Sequence, residues 1–417
     1  MRRRAWIGSF LFCLLCLVSV ARGLERFPPP EFEGVYEMPH PHHPAPAAEW
    51  RRGMDIVMLS CALIVAAYLA HKRRSRFGLV WLAVFCLIYF GFYRKGCVCS
   101  VGSIQNIALG FLDPMYMVSW PVLVFFALPL AFTLLFGRVF CASVCPLGAV
   151  QELVLVKPVR VPGWLDSCLS LIPYAYLIAV LVVVSINGSF LVCRYDPFVS
   201  LFRLSGPRYL VVLAVLFVGM SLFVGRPYCR FICPYAVLLR ICSRWSWRHV
   251  DVAPSECVVC SLCHDACPFD AIRPSRPGPR SNPRTWMVGL FLLLPVLGFG
   301  LGQWAGPLFA RQDLLVRTAE RVWMEESFSL KETTPESEAF RLGGMDPLFL
   351  YRAASEREKR FQSGVAWGMA LWAMVAGWKL MTAARSRPRE RYEADRKECF
   401  SCARCFMSCP LERKRRL

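Results

Sequence analysis

Seven stretches of the chain are apolar for long enough to cross a bilayer as helices: 54–71, 78–93, 118–138, 167–186, 208–225, 286–304 and 365–383. A membrane helix needs about 20 apolar residues to cross ~30 Å of hydrocarbon, and the second stretch is on the short side. An earlier apolar run, Ala5 to Val20, follows three arginines and ends Ala21-Arg-Gly23. A charged start, a short apolar core and small closing residues read as a signal peptide over 1–23, with an uncleaved anchor helix as the alternative. Residues 24–53 are rich in Pro and Glu and include His40, His42 and His43. They read as an extended extracytoplasmic arm, whose histidines are either a metal-binding group or part of a polar, proline-broken tail.

The polar stretches between the apolar ones give the orientation. Lys72, Arg73, Arg74 and Arg76 follow the first span. Arg226, Arg230, Arg240, Arg244 and Arg248 follow the fifth, and Arg385, Arg387, Arg389 and Arg391 the seventh. Lys and Arg mark cytoplasmic segments, so these belong inside. Alternation puts the arm and the 305–364 loop outside, and residues 249–285 and 384–417 inside. The loop mixes charges of both signs, and its Thr318–Ser329 stretch is helical and amphipathic in pattern. It reads as a small cap or as a docking surface for a soluble partner. The expected protein is an all-α polytopic membrane protein of about seven spans, lodged in the bacterial inner membrane.

Composition agrees. The chain of 417 residues is 56% hydrophobic and carries a net charge of +20, with a mean hydropathy of +0.42. In so apolar a chain the positive excess belongs to cytoplasmic loops, and no nucleic-acid partner is expected.

Chemistry enters with the 21 cysteines. Cys257, Cys260, Cys263 and Cys267-Pro268 form C-x2-C-x2-C-x3-C-P, and the spacing returns in Cys399, Cys402, Cys405 and Cys409-Pro410. In two-cluster ferredoxins the fourth cysteine of each run ligates the other run's cluster. One [4Fe–4S] cluster is therefore expected on Cys257, Cys260, Cys263 and Cys409, and a second on Cys399, Cys402, Cys405 and Cys267. Segments more than 130 residues apart must then meet on one side of the membrane. The two spans between them, an even number, permit it. The result is a small cytoplasmic, bacterial-ferredoxin-like head in two halves. Cys260-Ser-Leu-Cys263-His264 also has the form of a haem-attachment site, but that chemistry is extracytoplasmic and the charge rule puts this segment inside.

The membrane part, 54–248, contains a repeat. Gly137-Arg-Val-Phe-Cys141-Ala-Ser-Val-Cys145-Pro146 recurs 88 positions later as Gly225-Arg-Pro-Tyr-Cys229-Arg-Phe-Ile-Cys233-Pro234. Cys99-Ser-Val-Gly-Ser-Ile-Gln resembles Cys145-Pro-Leu-Gly-Ala-Val-Gln, and Cys193-Arg-Tyr-Asp-Pro resembles Cys233-Pro-Tyr-Ala-Val. Cys141, Cys145, Cys229 and Cys233 are a candidate inner redox or metal site, with i,i+4 cysteines sharing a helix face. Cys97, Cys99 and Cys193, with Asp196 as a fourth ligand, are a candidate outer one. Tight packing of small apolar cysteines is the alternative for both, and it is the reading for Cys61, Cys86, Cys168 and Cys242.

The repeated C-x3-C-P after a span, followed by the ferredoxin runs, resembles the NosR/NapH-type membrane polyferredoxins over residues 78–268 and 396–410. The resemblance implies electron transfer between quinol or cytoplasmic carriers and an extracytoplasmic acceptor. NosR-type members carry a flavin-binding domain before the spans. Here about 30 residues stand there without a flavin-attachment pattern, so an extracytoplasmic redox partner, such as a separate flavoprotein, is implied. The chain is read as an electron-transfer subunit rather than a stand-alone catalyst. Two other readings stay open: a metal-ion reductase serving maturation of a periplasmic metalloenzyme, and a redox-sensing regulator.

Overall fold

The computed structural model describes residues 49–96, 99–252, 257–274, 285–327, 333–384 and 392–414. The signal or anchor segment, most of the arm with its histidines, Cys13, Cys16, Cys97 and Arg385–Arg391 lie outside the described residues.

Helices α1 (Glu49–Ala67) and α2 (Arg76–Cys86) each run on through π-helical turns, to Lys72 and Tyr93. Ser75 separates them and caps α2, accepting from Gly78 N at 3.3 Å. Helices α3 (Ser100–Leu112), α4 (Trp120–Phe136), α5 (Pro146–Leu153), α6 (Ile172–Asn187), α7 (Pro197–Arg203), α8 (Arg208–Met220) and α9 (Tyr235–Arg244) complete the membrane part. Helix α10 (Thr285–Ala310) leads to α11 (Leu314–Ser327) and α12 (Pro335–Leu342), and α13 (Pro347–Ala384) returns. Two short strands, β1 (Ile272–Arg273) and β2 (Glu393–Ala394), pair antiparallel, with Ile272 opposite Ala394.

Each of the seven expected spans falls on a helix, but fewer are built to cross a membrane. Four helices among the described residues are long and apolar enough: Trp50–Lys72, Arg76–Tyr93, Gly163–Asn187 and Trp286–Ala310. Helices α7 and α8 add a fifth only if counted as one span bent by 100°, a break where Leu204 takes φ 51°. The expected 118–138 span is the 17-residue α4, with Pro129 inside it. The expected 365–383 span is the second half of the 38-residue α13, which is not among the four. Hydropathy registers apolar runs and is blind to where the backbone breaks.

Helix α13 is held by small residues on two faces. A Cβ on Gly302 would stand 2.4 Å from Ala366 Cα, and one on Gly306 2.4 Å from Gln362 Cα. Glycines four apart let two backbones approach, the main source of helix association where lipid offers no hydrophobic drive. On its other side Gly364 and Gly368 meet Val182 and Ile186, and Ile178, of α6. This hairpin carries the second cysteine run back to the first. One continuous buried cluster then runs from Leu59 on α1 to Phe269, Phe400 and Phe406 beside the cysteine runs. The head is packed onto the helices as part of one core.

Candidate metal centre

Two cavities lie side by side in the head. The first is lined by Cys257, Cys260, Cys263 and Cys409, with Val252, Val258 and Leu411 among its apolar walls. The second is lined by Cys267, Cys399, Cys402 and Cys405, with Phe269, Ile272 and Phe400. Each takes three cysteines from one run and one from the other.

The backbone of the two runs is wound alike. Val259 and Ser261 in the first, and Ser401 and Ala403 in the second, all have positive φ, between 52° and 63°. They occupy the same two places relative to the first cysteine. A left-handed conformation is uncommon for any L-residue and an outlier for β-branched Val259. Such strain persists where the surroundings over-determine it and concentrates at binding sites. In the second run the winding aims Ser401 N at Cys399 Sγ, 3.5 Å away. Burial pushes the Cys399 thiol up to about 12, so solvent alone leaves it protonated, whereas a coordinated metal deprotonates a thiol outright. Four thiols around an apolar cavity, on loops wound to close over it, fit an iron–sulfur cube. Among the described residues no three His, Cys, Asp or Glu groups converge closely enough for one metal ion. A cube holds its cysteines farther apart than a single ion does. His264 is committed elsewhere, its Nδ1 bonded to Ile272 O at 2.8 Å.

Cys141, Cys145, Cys229 and Cys233 are all buried. Cys141, Cys229 and Cys233 all lie within electrostatic reach of Cys145. The helix geometry expected for them needs correction. Cys141 sits in the π-helical turn Phe140–Val144, and Cys145 is extended at the N-cap of α5, with Pro146 at its first position. Cys229 lies in the short helix Pro227–Phe231, and Cys233 follows the break after Ile232.

Sequence reasoning missed Gln151. Its side chain is fully buried; Nε2 donates to Cys229 Sγ at 3.4 Å and Oε1 accepts from Tyr228 N at 3.0 Å. The same clamp recurs at the other cysteine group. Gln105 donates to Cys193 Sγ at 3.7 Å and accepts from Val192 N at 2.7 Å. The Gly102 and Gly148 that follow Cys99 and Cys145 by three each face the partner sulfur, at 3.4 and 3.8 Å from a built Cβ. Cys193 is therefore the counterpart of Cys229, not of Cys233 as the letters alone suggested, and Asp196, just before Pro197, falls where Cys233 precedes Pro234. Asp196 is buried and caps α7 through Phe198 N at 2.9 Å. Cys99, partly buried, and Cys193, exposed, complete what is described of this second group.

Next to Gln151 stands Glu152, 4% exposed. It accepts from Arg226 Nε at 2.9 Å, from Arg404 at 2.7 Å and from Arg76. Burial alone would raise its pKa, but Arg226, Arg76 and Arg404 hold it down at about 2. Arg226 also donates to the carbonyls of Cys141 and, at 2.7 Å, of Ala142. One carboxylate thus joins α2, the cysteine repeat and the second ferredoxin run, a connection with no signal in cysteine spacing.

Comparison with known proteins covers the same regions. A 4Fe-4S binding domain model matches residues 118–164 and 207–252, the two halves of the repeat, and another matches 250–273. An uncharacterized protein of Methanocaldococcus jannaschii is 29% identical over 191 residues, 44% of this chain and 77% of its own length. The regulatory protein NosR of Pseudomonas aeruginosa is 29% identical over 248 residues, 52% of this chain and 33% of its own. YccM of Escherichia coli, provisionally named an electron transport protein, is 27% identical over 180 residues, 39% of this chain and 49% of its own. The chain thus spans about a third of NosR and half of YccM. No solved structure matches it. With the ferredoxin run, the doubled C-x3-C-P unit and these relatives in agreement, the chain is similar to the NosR/NapH-type membrane iron–sulfur electron-transfer proteins.

Proposed function

We propose that Cys257, Cys260, Cys263 and Cys409 hold one [4Fe–4S] cluster and Cys399, Cys402, Cys405 and Cys267 a second, in a head on the cytoplasmic face of a bacterial inner membrane. The protein passes electrons between cytoplasmic or quinol carriers and an extracytoplasmic redox acceptor. The observation that carries this reading is the crossed lining of the two cavities, three cysteines from one run and the fourth from the other. A cube held by the four cysteines of each cavity would supply one-electron chemistry there. The left-handed turns at Val259, Ser261, Ser401 and Ala403 wrap each run round its cavity, and the apolar walls keep water from it. Cys141, Cys145, Cys229 and Cys233 are the next station, and Cys97, Cys99 and Cys193 the exit. An apolar slab of ~30 Å needs an intermediate stop.

Iron and sulfide analysis with EPR after anaerobic purification tests it. About eight iron atoms are expected from two cubes, and more if the membrane cysteines are loaded. Fewer than four ends the reading. Cys409→Ser and Cys260→Ser should lose the same EPR signal, and Cys267→Ser and Cys402→Ser the other. If Cys409→Ser and Cys402→Ser lose the same one, each run keeps its own cluster and the crossed assignment fails.

A further inference from the structure

Arg138 and Arg226 hold the same place in the two copies of the repeat, three residues before Cys141 and Cys229. Both are fully buried. A guanidinium sealed from water costs several kcal/mol unless a counter-charge meets it. Arg226 has Glu152. Arg138 donates from Nη1 to Lys397 O at 3.1 Å, but among the described residues its Nε and Nη2 find no hydrogen-bond partner.

The two arginines converge on one ring. Arg138 lies 4.0 Å from the centre of Phe400 and Arg226 5.4 Å from it, with Arg226 also 5.7 Å from Phe269. Phe400 follows Cys399, Phe269 follows Cys267-Pro268, and both line the second cavity. The glycines before the arginines make room. A Cβ on Gly225 would stand 2.9 Å from Pro268 O, and one on Gly137 3.7 Å from Ser401 Oγ. Arg138 is within electrostatic reach of Cys399, and Arg226 of Cys402 and of Cys141 and Cys229. For Cys263 in the first cavity, the thiols Cys257 and Cys260 lie within electrostatic reach and act in the opposite sense.

We infer that Arg138 and Arg226 set the reduction potential of the group held by Cys267, Cys399, Cys402 and Cys405, making it the resting place of an electron that enters the head. The inference rests on the cluster assignment proposed above. A four-thiolate iron–sulfur cube is anionic and gains one further negative charge on reduction. Fixed positive charge behind a low-dielectric wall favours the reduced form. Cys267, Cys399, Cys402 and Cys405, beside the membrane cysteines, would then hold the cluster that is reduced by one electron as the one held by Cys257, Cys260, Cys263 and Cys409 is oxidised.

Redox titration of the loaded protein followed by EPR decides it, with iron content measured on every variant. Arg138→Gln should lower the potential of the second-cavity cluster by the equivalent of about tenfold in its reduction equilibrium, ~59 mV for one electron, and leave the other cluster within a third of that. Arg138→Lys, which keeps the charge, should move neither. Glu152→Gln removes a negative charge and should shift the second cluster upward. If Glu152→Gln does not load, the Arg138 pair decides alone. Equal movement of both clusters, no movement in Arg138→Gln, or equal shifts in Arg138→Gln and Arg138→Lys overturns the inference. Wild type with fewer than four iron atoms refutes the cluster assignment, and this inference with it, whereas two clusters with unmoved potentials refute this inference alone.

Discussion

Two helices begin the same way and end up in opposite company. Helix α3 opens at Cys99 and α5 at Cys145; each places a glycine three residues on and a glutamine six residues on, and each glutamine grips a backbone N–H and the sulfur of a distant cysteine. Beyond the clamp they diverge. Around α5 the four thiols are buried, and the residue after the glutamine is Glu152 with three arginines on it. Around α3 Cys193 is exposed, Asp196 replaces a thiol, and the residue after the glutamine is Asn106, bonded to Tyr116 Oη at 2.6 Å. The clamp supplies position, and the neighbours supply charge and dryness. Among the described residues, only the α5 copy bonds to the second ferredoxin run, through Glu152 and Arg404. Tyr228 stands between the two, within electrostatic reach of Asp196, Cys233 and Cys99.

The largest expected break in this comparison comes from Glu152. Glu152→Leu leaves fully buried Arg226 without its anion, and breaking a buried pair in this way costs about 3–5 kcal/mol. Asn106→Leu, at the matching place, should cost about 1–2 kcal/mol, since it gives up two part-buried hydrogen bonds, from Tyr116 Oη and to Gly102 O, and strands no charge. Chemical unfolding in detergent measures both, and equal losses would dissolve the distinction. Acid provides a second readout. The folded carboxylate sits at about 2 against an ordinary 4.5. Its contribution is therefore complete above pH 4.5 and is lost as pH falls towards 2. Stability of the wild type should drop across that window, and that of Glu152→Leu should drop less.

How much of this the sequence could disclose follows from the range of each interaction. Cysteine spacing is local, so both ferredoxin runs and the doubled C-x3-C-P were legible, and the even number of expected spans between the runs allowed them to meet. Hydrophobic runs located seven helices. They did not register that α4 is only 17 residues long or that α8 follows α7 after a 100° turn at Leu204, because a helix end is made by a few backbone positions. The clamps were hidden for a different reason. Gln151 bonds Cys229 across 78 residues and Gln105 bonds Cys193 across 88, and no periodicity reports a side chain gripping a backbone so far away. Aligning the copies by cysteine alone set Cys193 against Cys233. The separations from the glutamines, 88 and 78 residues, differ as well, so only the hydrogen bonds themselves pair Cys193 with Cys229. Arg138 and Arg226 stood in the quoted repeat, and their retention in both copies was the available clue.

A middle-sized effect belongs to Gln151. Its replacement by Leu strands Tyr228 N in a site where all four thiols are buried, and an unmade buried hydrogen bond costs about 1–3 kcal/mol. The loss should reach the upper part of that range, because the sulfur of Cys229 loses its donor as well. It should also appear as faster alkylation of Cys229 by a thiol reagent in the folded protein, since access governs cysteine reactivity. A loss within experimental error would mean that water enters the α5 site freely.

Gln105→Leu is expected to give the smallest change, and its size tests whether the copies differ in dryness alone. The same two bonds are broken, to Cys193 Sγ and to Val192 N. Val192 is buried, so its N–H stays unpaired and some penalty remains. Cys193 is exposed, so water replaces the donor its sulfur loses. One of the two losses is thereby restored, and the cost should fall to about 1 kcal/mol, the low end for an unsatisfied buried group. Measured beside Gln151→Leu under the same detergent conditions, the difference reports what burial and the further Gln151 bond to Leu147 O, at 2.8 Å, add to the shared clamp. A cost for Gln105→Leu equal to or above that of Gln151→Leu would show that the α3 site is as dry as its counterpart when folded, and that the exposure of Cys193 does not let water stand in for the amide.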